Sequence, residues 1–410
     1  MTTLLPGGRP RPARSHVGVG LILAAVVLVS INLRPGASSV GPVLAELTAD
    51  LGMGPASAGV LTALPGLCFG AVGALAVTLA RRLGLSAVVA AGVLAVVLGL
   101  VARSFAGSAW VFLLASTLAL AGMAVGNVLV PAWIKRHSRD GGVRLMTFYS
   151  TGLTLGGALG AALAAPVGQA SGAGWRAGLG VWGLVALAAL VPWVLLSAGE
   201  RHTLRLGRTP ARPFVGRIAS SPTAVALTAL FGIQSMNAYV QFGWLPQIYR
   251  DAGLSATSAG LLMSLLTALG IVGGLLMPTV IARSRTLAPW MVAFGVLQVS
   301  GWAGLLVAPG TLPWLWAGSL GLAGFAFPTA IALLTARSRS PQVTARLSGF
   351  VQPVGYALAA TGPFAVGLIH EATGGWTLVL VLLMGSGVLM TLAGLRVSLP
   401  VYVDDELARP

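Results

Sequence analysis

The sequence predicts an all-α membrane protein with twelve transmembrane helices arranged as two repeats of six, on three observations. Of its 410 residues, 56% are hydrophobic and only 8% are charged, whereas about a quarter of the residues in an ordinary globular domain are charged. Twelve apolar runs are each long enough to cross a hydrocarbon core of about 30 Å, which takes about 20 helical residues. The two halves of the chain also repeat one another in sequence.

The twelve runs fill most of the chain and leave short connections between them. We predict one transmembrane helix in each run, at 17–40, 58–80, 85–102, 109–134, 145–167, 177–196, 223–248, 259–281, 287–307, 312–334, 347–369 and 376–395. Prolines inside several runs are expected to kink or end helices, whose neighbours must then satisfy the freed backbone groups.

Basic residues predict the orientation, because loops rich in arginine and lysine stay in the cytoplasm. With the N-terminus inside, 21 arginines and lysines fall in inner segments, and only Arg103, Arg176 and Arg250 fall in outer loops. We therefore expect both termini to be cytoplasmic. The composition places the chain in the cell (inner) membrane as a multi-pass protein.

The internal repeat divides the chain into two bundles. Asp50 and Gly59 recur as Asp251 and Gly260 at an offset of 201 residues, and the longest polar connection follows the sixth run. Two repeats with the same orientation predict a binding site near the midplane between them. The predicted organisation is a cytoplasmic tail at 1–16, a bundle at 17–197, a basic linker at 198–221, a bundle at 222–397 and a cytoplasmic tail at 398–410.

Arg34 is the strongest candidate for a binding residue, because it is the one charged residue inside the first apolar run. An arginine at that depth needs a partner, cavity water or an anionic ligand. No acidic residue is predicted in the middle of any span, so ligand or water is the expected partner. The planar fork of N–H donors on arginine suits a small planar anion or a polar neutral molecule.

An amide stripe on the seventh span is the second candidate. Gln234, Asn237 and Gln241 fall at i, i+3 and i+7, which is one face of a helix, and Trp244 follows. Other spans add polar residues that complete the predicted site, namely Asn32, Asn127, Tyr149, Gln352 and Tyr356. The alternative role for each amide or hydroxyl is a hydrogen bond between helices, worth about 1 kcal/mol.

Several classes of protein are disfavoured. Metal-ligand clusters, nucleophile elbows and phosphate-binding glycine loops are missing from the sequence, so we expect neither an enzyme nor a cofactor. The basic residues are scattered, which argues against a nucleic-acid partner. Cys68 is the only cysteine. The predicted partners are a small-molecule substrate and the lipid bilayer, with a proton as a candidate coupling ion, and the protein is expected to be a monomer.

Three motifs carry a family resemblance. The Asn-Leu-Arg-Pro run at 32–35, the Leu-Thr-Ala-Leu-Pro run at 61–65 and the Gly-Asn-Val-Leu-Val-Pro run at 126–131 together resemble the cyanate and nitroimidazole transporter branch of the major facilitator superfamily. The resemblance implies the major facilitator fold and movement of a small solute by alternating access. Arg81 stands where that superfamily usually has an aspartate, so the usual aspartate-based inner latch is not expected.

Three functions follow from these observations. The first is secondary active or facilitated transport of a small anion or polar planar molecule, such as cyanate or a nitroimidazole-like compound. A multidrug efflux antiporter is favoured if the central cavity proves wide and aromatic. A membrane sensor without transport is disfavoured, because the chain shows no sizeable soluble signalling domain.

Overall fold

The computed structural model describes residues 18–137, 143–200 and 218–407. The predicted N-terminal tail, most of the basic linker and the last three residues lie outside these ranges. The described residues form sixteen α-helices and two 3₁₀ turns, at Gly41–Val43 and Ile218–Ser220. The helices are α1 Val19–Asn32, α2 Pro35–Ser38, α3 Leu44–Leu51, α4 Pro55–Leu83, α5 Leu85–Ser104, α6 Ala109–His137, α7 Val143–Ser171, α8 Trp175–Glu200, α9 Pro222–Asp251, α10 Ala256–Arg283, α11 Ala288–Val307, α12 Pro313–Ala323, α13 Ala326–Ala336, α14 Pro341–Thr373, α15 Thr377–Ser398 and α16 Val403–Leu407.

The all-helical membrane class is confirmed. Ten helical stretches of the described residues are long and apolar enough to cross a membrane. Helices α9 and α14 span 30 and 33 residues but are not among the ten, because polar side chains interrupt their apolar runs. The twelve-span layout and the cytoplasmic termini stay predictions.

The first predicted span is a broken helix rather than a continuous one. Helix α1 ends at Asn32, and α2, a 3₁₀ turn and α3 follow in turn. Pro35 has no N–H to donate to the preceding turn, so a continuation of α1 through this position would lack one hydrogen bond of its ladder. The break places Arg34 at the junction, directly before α2.

The sequence repeat reappears as repeated contacts. The indole Nε1 of Trp175 donates to Asp50 at 3.1 Å, and that of Trp376 donates to Asp251 at 2.8 Å. Both residues of the second pair lie 201 positions after those of the first. The two halves therefore close the same end of each bundle with the same tryptophan–aspartate hydrogen bond.

Glycines let the two halves pack closely at that same end. A Cβ on Gly59 of α4 would lie 3.3 Å from the carbonyl oxygen of Pro363 on α14. A Cβ on its repeat partner Gly260, on α10, would lie 2.5 Å from the carbonyl oxygen of Ala161 on α7. Small residues permit such close backbone approach between membrane helices. The contacts join α4 to α14 and α7 to α10, and each pair crosses between the halves.

The structure corrects the position of Arg103, which was predicted in an outer loop. This residue lies in the last turn of α5, and its side chain is fully buried. Its Nη1 donates to the carbonyl oxygen of Gly36 at 2.8 Å, and its Nη2 lies 3.5 Å from the Ser39 hydroxyl. A helix break leaves backbone carbonyls without their helical donors. Arg103 therefore donates a hydrogen bond to a backbone carbonyl next to the helix break at Arg34.

Part of the predicted C-terminal tail is folded against the second bundle. Glu406 of α16 accepts hydrogen bonds from Ser221, from Thr223 and from Arg396 at 2.7 Å. Asp404 accepts from the backbone N–H groups of Arg339 and Ser340. These carboxylates connect the ends of α9, α14 and α15, so the segment braces the second bundle at the end opposite to its tryptophan–aspartate pair.

Candidate functional site

A cavity of about 560 Å³ lies between the two halves. This volume falls in the range of small-molecule sites, roughly 300 to 1,000 Å³. The junction between α1 and α2, together with α2, α4, α6 and α7, forms the wall on the side of the first half, and α9, α10, α12, α13 and α14 of the second half complete it. The predicted location between the repeats agrees with this geometry.

The cavity reaches toward one end of the bundle and is closed at the other. Its wall includes Thr147 near the start of α7, Pro278 near the end of α10 and Ala332 near the end of α13. These helix ends adjoin connections that the charge distribution predicts to be cytoplasmic. At the opposite end, Glu46 of α3 and Arg250 of α9 form an ion pair of 2.6 Å between the halves.

Arg34 lies on the cavity wall and is half-buried. Among the described residues, no carboxylate or hydrogen-bond acceptor pairs with its guanidinium group. The phenol side chains of Tyr239 and Tyr356 line the same cavity. Arg34 is also the only charged residue among the described residues that line the cavity. The wall therefore presents one positive charge and two phenol groups.

Three of the predicted amides face this cavity. Gln234 and Gln241 line it from α9, and Asn127 lines it from α6. The Oε1 of Gln234 and the Nε2 of Gln241 are buried without a hydrogen-bond partner in the described part of the chain. The Tyr149 hydroxyl donates to Asn127 Oδ1 at 3.5 Å, so Tyr149 touches the wall through Asn127.

Asn237 points away from the cavity, into the second bundle. Its Oδ1 accepts from Gln298 Nε2 at 2.8 Å and from Trp302 Nε1 at 3.1 Å, and its Nδ2 donates to Ser386 at 2.9 Å. Residues seven apart on a helix differ by about 20° in direction, whereas residues three apart differ by about 60°. The predicted stripe on α9 therefore divides between a cavity face and a packing face.

Three other candidate residues also lie outside the cavity wall. Trp244 donates its Nε1 to the carbonyl of Pro363 at 3.0 Å. Asn32 donates to the carbonyl of Leu28 at 2.8 Å, one turn back in α1. Gln352 is half-buried on α14, one turn before Tyr356, which does line the cavity.

The aromatic part of the wall was not predicted, apart from Tyr356. Among the residues that the structure describes, five aromatic side chains line the cavity, namely Phe69, Tyr239, Phe242, Phe327 and Tyr356. The rings of Phe69 and Tyr356 lie 6.0 Å apart between their centroids, and those of Tyr239 and Tyr356 lie 6.4 Å apart. Apolar sequence carries no sign of which phenylalanines face a cavity and which face lipid. Tyr239, a hydroxyl in mid-span, was the one available signal.

Comparisons with known proteins agree with this architecture. The family model described as the Major Facilitator Superfamily matches residues 21–363. The chain is 31% identical over 387 residues to the uncharacterized transporter YycB of Bacillus subtilis (strain 168), covering 94% of this chain and 95% of that one.

Two relatives from Escherichia coli (strain K12) carry named substrates. The chain is 31% identical to the cyanate transport protein CynX, over 87% of this chain and 91% of that one. It is also 31% identical to a 2-nitroimidazole transporter, over 92% and 94%.

A solved structure, the D323A mutant of the nucleoside transporter NupG, superposes with a TM-score of 0.75 at 13% identity. The alignment covers 92% of this chain and 99% of that one. At this identity the superposition supports the fold alone, and the family rests on the profile match and the 31% relatives. The chain is a multi-pass inner-membrane transporter of small solutes and belongs to the major facilitator superfamily.

Proposed function

We propose that this protein carries a small planar solute with an anionic or strongly polar oxygen group, and that Arg34 is its anchor. One observation carries the proposal: the cavity wall holds a single charge, and that charge has no partner among the described residues. A guanidinium group left unpaired in a cavity between membrane helices costs free energy unless water or a ligand contacts it. A nitro or carboxylate group offers two oxygens that match two of its N–H donors.

The rest of the wall suits a flat ring. Phe69, Tyr239 and Tyr356 supply aromatic surface, and Gln234 and Gln241 supply amide groups that lack protein partners. Aromatic rings bind flat π-systems in stacked or edge-to-face arrangements. A three-atom ion such as cyanate would fill a small part of about 560 Å³, so a nitroimidazole-like azole fits this wall better.

The relatives support the same class of solute. Proteins that are 31% identical over most of the chain are named as carriers of cyanate and of 2-nitroimidazole. Cyanate is linear and 2-nitroimidazole is planar, but both are small and both have delocalised electron density at their polar ends. A guanidinium group is complementary to that feature in each of them.

Alternating access is the proposed mechanism. The ion pair between Glu46 and Arg250 and the close contacts at Gly59 and Gly260 hold the halves together at one end, while the cavity extends toward the other. Rocking of one bundle against the other would open the closed end and shut the open one around the same site.

Multidrug efflux is the second candidate, because the cavity is wide and aromatic side chains such as Phe69, Phe242 and Phe327 line it. A cationic drug would face the charge of Arg34 with no carboxylate among the described lining residues to pair it. Cationic substrates normally require such a carboxylate in a membrane interior. The electrostatics of the wall therefore favour the planar polar solute.

The experiment is a three-ligand comparison on the purified protein. We expect isothermal titration to detect 2-nitroimidazole and, more weakly, cyanate, and to detect no binding of the cation tetraphenylphosphonium. Proteoliposomes should then show saturable flux of 2-nitroimidazole. Binding and transport of the cation without the azole would establish the multidrug function instead. Binding of the azole without any flux would identify a sensor.

A further inference from the structure

A second, much smaller void lies behind the central cavity, toward the closed end. Its volume is about 20 Å³. Ala37, Leu120 and Phe242 belong to the walls of both spaces. The void therefore continues the line of the central cavity toward the closed end, and these three side chains separate the two spaces.

Two buried polar groups face this void without partners. The Nε of Arg103 and the Oγ of Ser116 have no hydrogen-bond partner in the described part of the chain, and both residues line the void. Arg103 is fully buried, and Ser116 is 1% exposed. No carboxylate among the described residues pairs with Arg103, whose two other nitrogens contact Gly36 and Ser39. Buried charges are normally paired, so this group is set to accept an anion.

The void also lies on the seam between the halves. Leu61, Thr62 and Pro65 line it from α4, and Phe242 and Gly243 line it from α9. Gly243 packs directly against the Thr62 side chain, so a Cβ on Gly243 would overlap it. Separation of the halves at this end would open the void to the outside before it opened the central cavity.

We propose that Arg103 and Ser116 form a second anion-binding station on the transport path, nearer the closed end than Arg34. This inference rests on the proposed function, since it takes the same class of small planar anion or polar oxygen group as ligand. In the closed state, 20 Å³ is room for one water molecule. When the halves separate, the free Nε–H of Arg103 and the Ser116 hydroxyl receive the oxygen group of the solute. The solute then passes Phe242 and reaches Arg34.

The test measures charge selectivity at the void and needs no substrate. Ser116→Cys in a Cys68→Ala background is labelled in detergent with an anionic and with a cationic methanethiosulfonate of similar size. We expect the anionic reagent to react about tenfold faster, because a full positive charge lies next to the thiol. Arg103→Gln should remove this preference, and Arg103→Lys should keep most of it. Ser104→Cys is the matched control, because Ser104 is a buried serine outside the void and should not react.

Two results would overturn the station. One is that Ser116→Cys is as unreactive as Ser104→Cys, which would mean that the void never opens. The other is that the anionic and cationic reagents react at equal rates. The void would then show no preference for anions and would be only a space for one water molecule. If Arg103→Gln does not fold, a salt titration takes its place. Screening by added salt should reduce the preference of Ser116→Cys for the anionic reagent, with Arg103 still present. Arg34→Gln tests the proposed function separately, through azole binding. A failure of the proposed function and a failure of the second anion-binding station can therefore be told apart.

Discussion

The two halves of the molecule share a scaffold but equip the cavity differently. Each half closes one end with the same hydrogen bond, from Trp175 to Asp50 and from Trp376 to Asp251. The charge of Arg34 has no such counterpart, because the residue 201 positions later is Ser235, which also lines the cavity. The cavity therefore lies between two repeated bundles, whereas its one charged group, Arg34, is a residue that the repeat does not share.

Replacing the one charge of the first half should have the largest effect. Arg34→Gln should weaken 2-nitroimidazole binding by about 100-fold, and Arg34→Lys by about tenfold, because lysine keeps the charge and loses the planar fork. Both variants should melt near the wild-type temperature, since the guanidinium has no described protein partner. Titration calorimetry and thermal melts measure the two quantities. Arg144→Gln, an exposed change outside the cavity, is the control, and equal losses in Arg144→Gln would refute a specific role for Arg34.

The amides of the second half should separate binding from stability. Gln234→Ala should weaken binding by about 2- to 10-fold with little change in melting temperature, as expected for one hydrogen bond. Asn237→Ala should leave binding unchanged and lower the free energy of unfolding by about 1 to 3 kcal/mol, because Gln298 Nε2 and Trp302 Nε1 lose the oxygen to which they donate. Similar behaviour of the two variants would show that the two faces of α9 are not distinct.

The brace on the second half should depend on pH. Partial burial acts to raise the pKa of Glu406, but hydrogen bonds from Ser221, Thr223 and Arg396 outweigh it and hold this pKa below its ordinary value of 4.5. A lowered pKa stabilises the folded protein above the unfolded-state pKa, and that contribution is lost as the pH falls through the folded-state value.

We therefore expect the melting temperature to fall as the pH drops below about 4.5, and to fall less in Glu406→Gln, whose melting temperature at pH 7 is already lower. Circular dichroism melts across this range measure the difference. If the melting temperatures of the two proteins fell in parallel with pH, Glu406 would not contribute to the stability of the second bundle.

The ion pair that joins the halves should have the smallest effect. Glu46 and Arg250 are partly exposed, and exposed pairs contribute about 0.2 to 1 kcal/mol. Glu46→Gln should therefore speed labelling of Thr62→Cys, on the seam, by less than about fivefold in a Cys68→Ala background. Arg176→Gln breaks the pair with Asp50 inside one half and should leave the rate unchanged. Equal rates in both variants would show that the pair does not hold the closed end.

Sequence predicted the features that follow from composition and spacing. The helical membrane class follows from apolar runs, and the cavity between bundles follows from the repeat. Arg34 was identified as a candidate because charged residues are rare in apolar segments of sequence. Spacing alone could not separate Gln234 from Asn237, because both lie within the same broad face of α9 and only the neighbours α11 and α15 decide between cavity and packing. Arg103 was missed because its partner, the carbonyl of Gly36, is a backbone group far away in sequence.

The affinity ratio between two azoles tests the central claim most directly. Pyrazole has the same ring size as 2-nitroimidazole, is uncharged at pH 7 and lacks the nitro group that Arg34 is proposed to bind. We expect the wild-type protein to bind 2-nitroimidazole at least about tenfold more tightly than pyrazole, and Arg34→Gln to bind the two azoles with similar affinity. An unchanged ratio in Arg34→Gln would contradict the assignment of Arg34 as the substrate anchor.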